Sequence, residues 1–179
     1  KYYANYIQLD TDERAAMANA PREMLITQVQ RVQPETTSAA PKVDLSYFNH
    51  PVKALMWGAA TTNDGTAYTF DNAKLTLNGV DTFDPMSNVY FAHVQPYHHS
   101  SNSSDLMSYS FAAEADFLYM YSFALKADKY QPCGTCNFSR LDNAEIKFTS
   151  STGNLNWFYG VNYNIFRVQN GMGGVAFAN

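Results

Sequence analysis

Apolar and polar residues alternate over several short segments of the chain, which is the pattern of β-strands with one buried and one solvent-facing side. The clearest alternations are Val43–Tyr47, Ala73–Leu77 and Ala144–Phe148, where every second residue is apolar. Five further apolar segments bring the predicted number of strands to eight. They are Tyr2–Leu9, Met24–Val32, Val52–Ala59, Phe117–Leu125 and Leu155–Ile165.

The longest alternation, Leu155–Ile165, has apolar side chains at odd positions and mostly Asn or Gly at even positions. The odd positions are therefore predicted to face the core. The next apolar residues are Phe166 and Val168, and this change of parity predicts a β-bulge near Ile165 and Phe166. The register of this strand would then be fixed at one place.

Other features of the strands refine this picture. Phe117–Leu125 is apolar on both faces, which predicts a central strand covered on both sides. Trp57 and Trp157 both fall in predicted strands and are expected to be mostly buried. Each tryptophan is therefore expected to stabilise the core.

Two short helices are predicted between the strands. Asp10, with an acidic residue three positions later, forms a capping box that opens a helix over Thr11–Ala20. Asp84 before Pro85 is an N-cap with proline at the first helical position, and this second helix is predicted to end at Pro96.

Eight antiparallel strands without a strand–helix alternation predict an all-β sandwich, of which the jelly roll is the eight-stranded form. An immunoglobulin-like sandwich is the alternative, although it usually has fewer strands and no helices. The length of 179 residues predicts a single domain over the whole chain. Because Lys1 leads directly into a strand-like run, we expect the chain to continue a longer polypeptide.

Composition suggests a surface that neighbours cover. Charged residues make up 16% of the chain, against about 25% in a typical soluble domain, whereas 15% are aromatic. Buried interfaces have this bias, although an ordinary domain with a Tyr-rich sheet would share it. The net charge of −4 and the lack of a Lys/Arg cluster argue against nucleic-acid binding. Every apolar segment is shorter than about 18 residues, so no membrane span is predicted.

The pair Cys133 and Cys136 has the spacing of a redox motif and, together with His98 and His99, would allow a zinc site. However, no predicted helix follows Cys133 to lower a thiolate pKa, and a second spaced ligand pair is absent. We therefore interpret the cysteines as part of a tight turn, and the histidines as an exposed pair in a loop over Tyr97–Asp105. Two cysteines this close in sequence cannot close a large loop, which fits a reducing, intracellular assembly site.

Other candidate sites have simpler structural explanations. Asp10, Asp12 and Glu13 lack the Gly and the later Glu of a calcium loop, so helix capping explains them better. The run Gly171–Gly174 lacks the spacing of pyrophosphate-binding glycines and is interpreted as a flexible turn. The sequence therefore predicts no catalytic, cofactor-binding or metal-ligating residue, no cofactor and no enzymatic activity.

One run, Gln131–Asn143, is more distinctive than the rest of the chain. Further runs follow in order along nearly the whole sequence: Leu9–Arg14, Glu23–Ile26, Gln28–Gln30, Asn49–Lys53, Tyr121–Lys126, Val161–Asn164 and Gly171–Phe177. Taken together, these runs resemble the C-terminal jelly roll of the major capsid proteins of nucleocytoplasmic large DNA viruses, the iridovirus, chlorovirus and mimivirus-like group.

The resemblance implies the second half of a double jelly roll. It further implies a homotrimer that forms a pseudo-hexagonal capsomer of an icosahedral capsid, with neighbouring capsomers and minor capsid proteins as partners. An internal viral membrane would lie nearby without insertion, nucleic acid would not be contacted, and the virion would be assembled in the host cytoplasm. Three features depart from the family: Cys133 stands where Ser is usual, Asp105–Asp116 is longer than usual, and the first jelly roll is missing.

Two other functions are weighed against that of a structural capsid subunit. A minor capsid, vertex or host-attachment jelly roll would bind glycans through an exposed aromatic loop such as Tyr97–Asp105. A cupin-like enzyme would need a metal site whose ligand spacing this sequence lacks. Abundance in purified particles separates the first two functions, and turnover with a bound metal would identify the third.

Overall fold

The computed structural model describes residues 1–34, 41–58, 68–101, 118–155 and 157–178. It divides into two compact units, one of Thr27–Tyr163 and one of Lys1–Ile26 with the segment that begins at Asn164. The run Asp105–Asp116, expected to be longer than in the family, lies outside the described residues. No helix within the described ranges has the length and apolar character needed to cross a membrane.

The described residues form eleven strands and two α-helices. In chain order the strands are β1 (Arg22–Val32), β2 (Lys42–Asp44), β3 (Pro51–Gly58), β4 (Asn72–Leu77), β5 (Val80–Asp81), β6 (Met86–Ser87), β7 (Leu118–Ser122), β8 (Cys136–Asn137), β9 (Ala144–Thr149), β10 (Phe158–Gln169) and β11 (Met172–Val175). The helices are α1 (Thr11–Asn19) and α2 (Gln95–His99), and α2 continues from a π-helical turn over Tyr90–Val94.

The strands form two antiparallel sheets with the orders β1-β10-β3-β7 and β2-β9-β4-β5. The short strands β8 and β11 extend the first sheet, and β6 extends the second. Along the chain, β1 to β4 alternate between the two sheets, and so do β7, β9 and β10. This order is that of an eight-stranded jelly roll, as predicted, with three short strands added.

Seven of the eight predicted strands are present, and the prediction for Tyr2–Leu9 is wrong. That segment forms no ladder, and Tyr2 and Ile7 are fully or largely exposed. The missing eighth strand is β5, whose two residues are too few to show an alternation. Tyr47 also departs from its prediction, because it lies exposed in the turn that follows β2.

Aromatic rings from both sheets fill the space between them. Trp57 of β3 is fully buried and stacks on Phe158 of β10 with ring centroids 5.0 Å apart. It also contacts Tyr119 of β7 and, across the sandwich, Phe148 of β9, at centroid distances of 5.9 and 6.1 Å. Contacts of this kind make the aromatic cluster the main stabilising feature of the sandwich.

The prediction that odd positions of the long strand face the core holds for Leu155, which is fully buried in the core cluster ahead of β10, but it is wrong within β10. In β10, Phe158 and Gly160 face the core, whereas Tyr159 is 37% exposed. The ring of Phe48 fills the space next to Gly160, and a Cβ at position 160 would lie 3.2 Å from this ring. A glycine therefore suits this position of the core. Sequence periodicity could not show this, since the apolar group at that place comes from elsewhere in the chain.

The second tryptophan is also placed differently from its prediction. Trp157 precedes β10 and is only partly buried. The guanidinium of Arg31 lies over its ring, 4.2 Å from the centroid. Its environment is therefore a surface cation–π contact, with a small expected stabilisation.

The prediction of a β-bulge near Ile165 and Phe166 is wrong, and the register shift that the structure shows lies elsewhere. The register between β10 and β3 shifts between Val161 and Asn162, where Lys53 of β3 is the extra residue. No parity change occurs at Ile165, because Phe166 and Val168 continue the even-numbered side that Phe158 begins. Asn162 is completely buried on that side, so the apolar alternation was misleading there.

The covered strand β7 ends the described order of its sheet, so the prediction that it is central is wrong. Its outer face is covered by the segment that follows it, through the buried residues Ala124 and Ala127, which cluster with Met120. An apolar strand face therefore indicates that the face is buried, but the segment that buries it need not be another strand.

Helix α1 begins where it is predicted: Asp10 Oδ1 accepts a hydrogen bond from the Thr11 N–H at 2.7 Å. Asp12 and Glu13 lie in its first turn. The predicted start of the second helix is wrong, because Asp84 and the residue after it precede β6, which pairs with β4. Pro96 lies in the first turn of α2, where a missing N–H is tolerated.

The glycine run near the C-terminus is part of a hairpin. Asn170 and Gly171 have φ values of 53° and 75°, as the type I′ turn between two adjacent strands requires. Met172–Val175 then pairs with β10. The interpretation of Gly171–Gly174 as a flexible turn is therefore wrong, because most of the run belongs to a strand.

Candidate assembly surfaces

Three of the runs that carry the family resemblance meet at the bulge of β3. We call this place the bulge corner; it consists of Asn49–Lys53, Tyr121–Lys126 and Gln131–Asn143. The first and third runs pair as β3 and β8, and the carbonyl of Lys53 accepts a hydrogen bond from the Phe123 N–H at 3.0 Å. The most distinctive parts of the sequence therefore build one structural junction.

The predicted turn at the two cysteines lies within the bulge corner. Cys133 Sγ accepts a hydrogen bond from the Lys126 N–H and donates one to the Lys126 carbonyl, both at 3.2 Å. Gly134 has φ of 139°, and a Cβ there would lie 2.6 Å from the Phe123 carbonyl oxygen. Burial raises the pKa of the Cys136 thiol, which disfavours the nucleophilic thiolate. This geometry fits the tight-turn interpretation.

The two histidines lie in the last turn of α2 and not in a loop, which corrects that prediction. His98 is exposed, with its ring edge-on to that of Tyr97, and His99 Nδ1 lies 2.8 Å from the Ala124 carbonyl oxygen. Within the described ranges, no group of three or more His, Cys, Asp or Glu side chains could hold a metal ion. That the whole chain lacks metal and cofactor sites stays a prediction.

A nearly buried lysine marks the outer face of the six-stranded sheet at the bulge corner. Lys53 is 8% exposed, and its Nζ lies 5.3 Å from the centroid of the Tyr163 ring. No carboxylate oxygen in the part of the chain that the structure describes lies within 4.0 Å of this Nζ. Desolvation lowers the pKa of Lys53, although Asp128 and Cys133 act in the opposite direction.

Tyr163 presents a buried polar group at the same place. Its hydroxyl is buried and makes no hydrogen bond within the described part of the chain. Desolvation raises the pKa of Tyr163, so the phenol remains a neutral donor near pH 7. The Lys53 ammonium and the Tyr163 hydroxyl therefore lie beside the small apolar cluster around Met120.

The solvent-facing side of the five-stranded sheet has its charges in two rows. Lys42, Lys147 and Lys74 are neighbours across β2, β9 and β4, and an acidic row with Glu145 and Asp81 lies beside them. Ion pairs join the rows: Lys74 Nζ is 2.8 Å from Asp81 Oδ2, and Lys147 Nζ is 2.6 Å from Glu145 Oε1. The hydrogen bond from Lys74 lowers the pKa of Asp81, and that with Glu145 raises the pKa of Lys147.

A pocket of about 480 Å³ opens beside this lysine row. Its walls include Pro41, Pro85 and Phe148 together with the three lysines. Exposed ion pairs of this kind add little to stability. The two rows therefore contribute little to the stability of the fold.

The unit of Lys1–Ile26 and the segment from Asn164 exposes most of its large apolar side chains. Among its described residues only Asn164 is buried. Exposed apolar surface on this scale is typical of interaction surfaces. The exposed side chains are Tyr2, Tyr3, Tyr6, Ile7, Met17, Met24, Leu25, Met172, Val175 and Phe177.

Comparison with known proteins now gives this architecture a family. A family model described as large eukaryotic DNA virus major capsid protein matches residues 13–174. The chain belongs to this family. The major capsid protein of Pyramimonas orientalis virus is 42% identical, with 99% of this chain and 48% of the relative covered. That of Paramecium bursaria Chlorella virus 1 is 35% identical, with 99% and 53% covered.

A solved capsid has a similar fold. The chain matches the quasi-atomic model of the PBCV-1 virus capsid with a TM-score of 0.71 and 32% identity, over 96% of this chain and 55% of that one. The Faustovirus major capsid protein matches with a TM-score of 0.54 and 13% identity, which shows a shared fold alone. The predicted jelly roll and the predicted family resemblance are confirmed. The chain spans about half the length of the curated relatives that it matches.

Sequence reasoning missed Lys53 and Tyr163 as residues of interest. The signal for Lys53 was present, because it is the single charged residue in the otherwise apolar run Val52–Gly58. A cation inside a buried strand requires an explanation. Tyr163 carried no such signal, since its ring resembled every other apolar residue of the alternation.

Proposed function

We propose that this chain is the C-terminal jelly roll of a major capsid protein whose complete polypeptide contains two jelly rolls. Three copies of that polypeptide form a pseudo-hexagonal capsomer, and capsomers tile an icosahedral capsid. The observation that carries the proposal is the match to the solved chlorovirus capsid, with its TM-score of 0.71 over 55% of that chain.

Surface composition supports a structural role over a catalytic one. The chain contains 16% charged residues, and one of its two units exposes large apolar side chains such as Tyr6 and Phe177. Surfaces of this composition suit permanent contacts between subunits. The polar groups of the bulge corner form hydrogen bonds within turns and between strands. Such contacts stabilise the fold and are consistent with a structural role.

The proposal includes the environment of the subunit. Its partners are its own copies, neighbouring capsomers and minor capsid proteins in the virion. It lies near an internal viral membrane without insertion and makes no direct contact with nucleic acid, in keeping with the net charge of −4. Assembly takes place in the host cytoplasm.

Sedimentation analysis and electron microscopy of the complete polypeptide test this function. We expect a stable trimer with a pseudo-hexagonal outline at micromolar concentration. Three copies of the chain should also appear in each capsomer of purified particles. A polypeptide that stays monomeric at high concentration, in the presence of its minor capsid proteins, would contradict the proposal.

A minor capsid, vertex or host-attachment protein that binds glycans is the second candidate. Among the described residues it is favoured by Tyr97, which is 63% exposed in the middle of α2. The rest of the proposed contact loop beyond Ser101 lies outside the described residues. Quantitative gel analysis of purified particles separates the candidates, because a major capsid protein dominates the protein mass and a vertex protein is scarce.

A further inference from the structure

We propose that Asn170 is a site of spontaneous deamidation, at which attack by the backbone nitrogen of Gly171 converts the side-chain amide to a carboxylate. The site lies at the tip of the hairpin between β10 and β11, where both residues are exposed. This modification goes beyond the proposed function and does not depend on it, because its reactants are the chain itself and water.

The reaction joins the Asn side chain to the backbone nitrogen of the next residue. The Gly171 nitrogen gives up its proton to hydroxide and attacks Cγ of Asn170, and ammonia leaves as a five-membered succinimide ring closes. Water then opens the ring at one of its two carbonyl carbons. Cleavage of the new bond at Cγ gives Asp, whereas cleavage of the former peptide bond leaves Gly171 attached through Cγ and gives isoaspartate. Glycine favours ring closure, because no side chain stands beside its nitrogen.

The same dipeptide closes a second hairpin, which serves as an internal reference. Asn78 and Gly79 form the loop between β4 and β5, as Asn170 and Gly171 form the loop between β10 and β11. The φ values are 50° and 78° in the first loop and 53° and 75° in the second. Both loops therefore have the positive φ values of a type I′ turn, and the two dipeptides have the same intrinsic chemistry.

The two asparagines differ in how firmly the surrounding chain holds them. Asn78 Oδ1 accepts hydrogen bonds from the Asp142 N–H at 2.9 Å and the Asn143 N–H at 3.2 Å. The Asn78 N–H also donates to the Asn143 carbonyl at 2.6 Å. The Asn170 side chain is exposed and makes no hydrogen bond within the described part of the chain. A separate segment therefore fixes the turn at Asn78, and the turn at Asn170 lacks that support among the described residues.

This difference affects the rate because ring closure requires the turn to open. In the left-handed conformation of a type I′ turn, ψ of the Asn must rotate before the next nitrogen can reach Cγ. The rate therefore follows the fraction of molecules in which the hairpin is open. All four residues of β11 are exposed, so its separation from β10 exposes little additional apolar surface. Opening the turn at Asn78 must break three further hydrogen bonds.

The isoaspartate product changes the hairpin itself. It lengthens the backbone between Asn170 and Gly171 by one atom, and a tight turn fixes the strand register through its exact length. We therefore expect the pairing of Gln169 with Met172 to be lost and β11 to separate from β10. The exposed side chains of Met172 and Val175 would then leave the sheet, so the modification would alter the apolar surface of this unit as the protein ages.

Peptide mapping by mass spectrometry tests the proposal on the complete polypeptide, incubated in mildly alkaline buffer. We expect the peptide with Asn170 to gain the mass difference between an amide and an acid, and isoaspartate to be detected there by enzymatic methylation. Conversion at Asn170 should be roughly tenfold or more faster than at Asn78, because of the three additional hydrogen bonds of the second turn. Equal rates, or a faster reaction at Asn78, would overturn the proposal.

The same incubation in urea separates the effect of the fold from that of the local sequence. We expect Asn170 and Asn78 to convert at similar rates in the unfolded polypeptide, because both are then followed by an unconstrained glycine. A difference that persisted in urea would overturn the structural argument. The proposal would also be wrong if Asn170 stayed intact in the folded polypeptide for as long as the unfolded polypeptide takes to convert completely.

The variant Asn170→Gly removes the reacting amide and keeps the turn, because glycine accepts positive φ. Hydrogen exchange of Met172–Val175 should become faster in aged wild-type polypeptide and stay constant in the aged variant. An equal change in both would show that ageing loosens β11 by another route and would overturn the proposed consequence. Assembly of capsomers is measured separately, so failure of this inference leaves the proposed function intact.

Discussion

The unit of Thr27–Tyr163 buries a continuous cluster of apolar side chains, whereas the unit of Lys1–Ile26 and the segment from Asn164 has one buried residue among those described, and it is polar. The second unit depends on backbone ladders and on exposed contacts such as the Glu23–Arg167 ion pair, with Oε1 and Nη2 2.6 Å apart. Exposed pairs add about 0–1 kcal/mol. The unit of Thr27–Tyr163 therefore has its own hydrophobic core, whereas the other unit exposes apolar surface of the kind that a partner would cover.

The largest expected effect tests the core side of this comparison. Trp57→Ala should lower the free energy of unfolding by about 3–5 kcal/mol, because Trp57 is fully buried and stacks on Phe158 at 5.0 Å. The matched control, Trp157→Ala, should cost only about 0.5–1 kcal/mol through its lost contact with Arg31. Urea unfolding followed by circular dichroism measures both. Equal losses would show that the two environments are energetically alike.

Alkaline pH should weaken the same core. Desolvation raises the pKa of Tyr68 and Tyr119, which are both buried. A tyrosine in the unfolded chain titrates near pH 10, so this stabilisation is complete below about pH 10 and is lost as pH rises through the folded-state pKa. The free energy of unfolding should therefore fall by about 1.4 kcal/mol per pH unit for each such tyrosine.

Denaturant titrations between about pH 9 and pH 11 measure this slope. Tyr119→Phe is the control, because it removes one titrating hydroxyl and keeps the ring in the cluster. The variant should show a shallower decrease than the wild type. A stability profile that stays flat over this range would contradict the assignment of these tyrosines to the core.

A smaller effect tests the bulge corner. Gly134→Ala should cost about 1–3 kcal/mol in backbone strain, because its φ of 139° is a glycine conformation, and its Cβ would also meet the Phe123 carbonyl oxygen at 2.6 Å. Gly79→Ala is the control, since Gly79 has φ of 78° but open space around the added Cβ, and should cost about 1–2 kcal/mol. Thermal unfolding compares the two. A smaller loss of stability for Gly134→Ala than for Gly79→Ala would show that the turn at Gly134 can relax to accommodate the added Cβ.

The smallest effect on stability is expected in the exposed unit. Replacing Tyr6 and Ile7 together by Ser should change the free energy of unfolding by less than about 0.5 kcal/mol, because both side chains are largely or fully exposed. Assembly of the complete polypeptide should nevertheless decrease, if a partner covers this surface. A loss above about 1 kcal/mol in the isolated chain would break the comparison between the two units, because it would show packing within the chain.

The strands were predictable where their alternation matched the way they are buried. Val43, Ala73 and Ile146 lie on buried faces as their period-2 pattern predicts. The start of α1 was also predictable, because a capping carboxylate acts on adjacent N–H groups. The run Tyr2–Leu9 shows the limit of the method, since an apolar strand-like sequence forms no ladder when no neighbouring strand lies beside it.

The chain by itself determined seven of the strand segments, the helix cap and the family resemblance, because these depend on local pattern and on the order of short runs. Only the tertiary structure decided which side of β10 faces the core, since Phe48, distant in sequence, fills the space at Gly160. It likewise placed the bulge at Lys53 and brought that lysine over Tyr163. The contacts of Lys53 are made with residues that are distant in sequence, and the local pattern of apolar and polar residues therefore could not predict them.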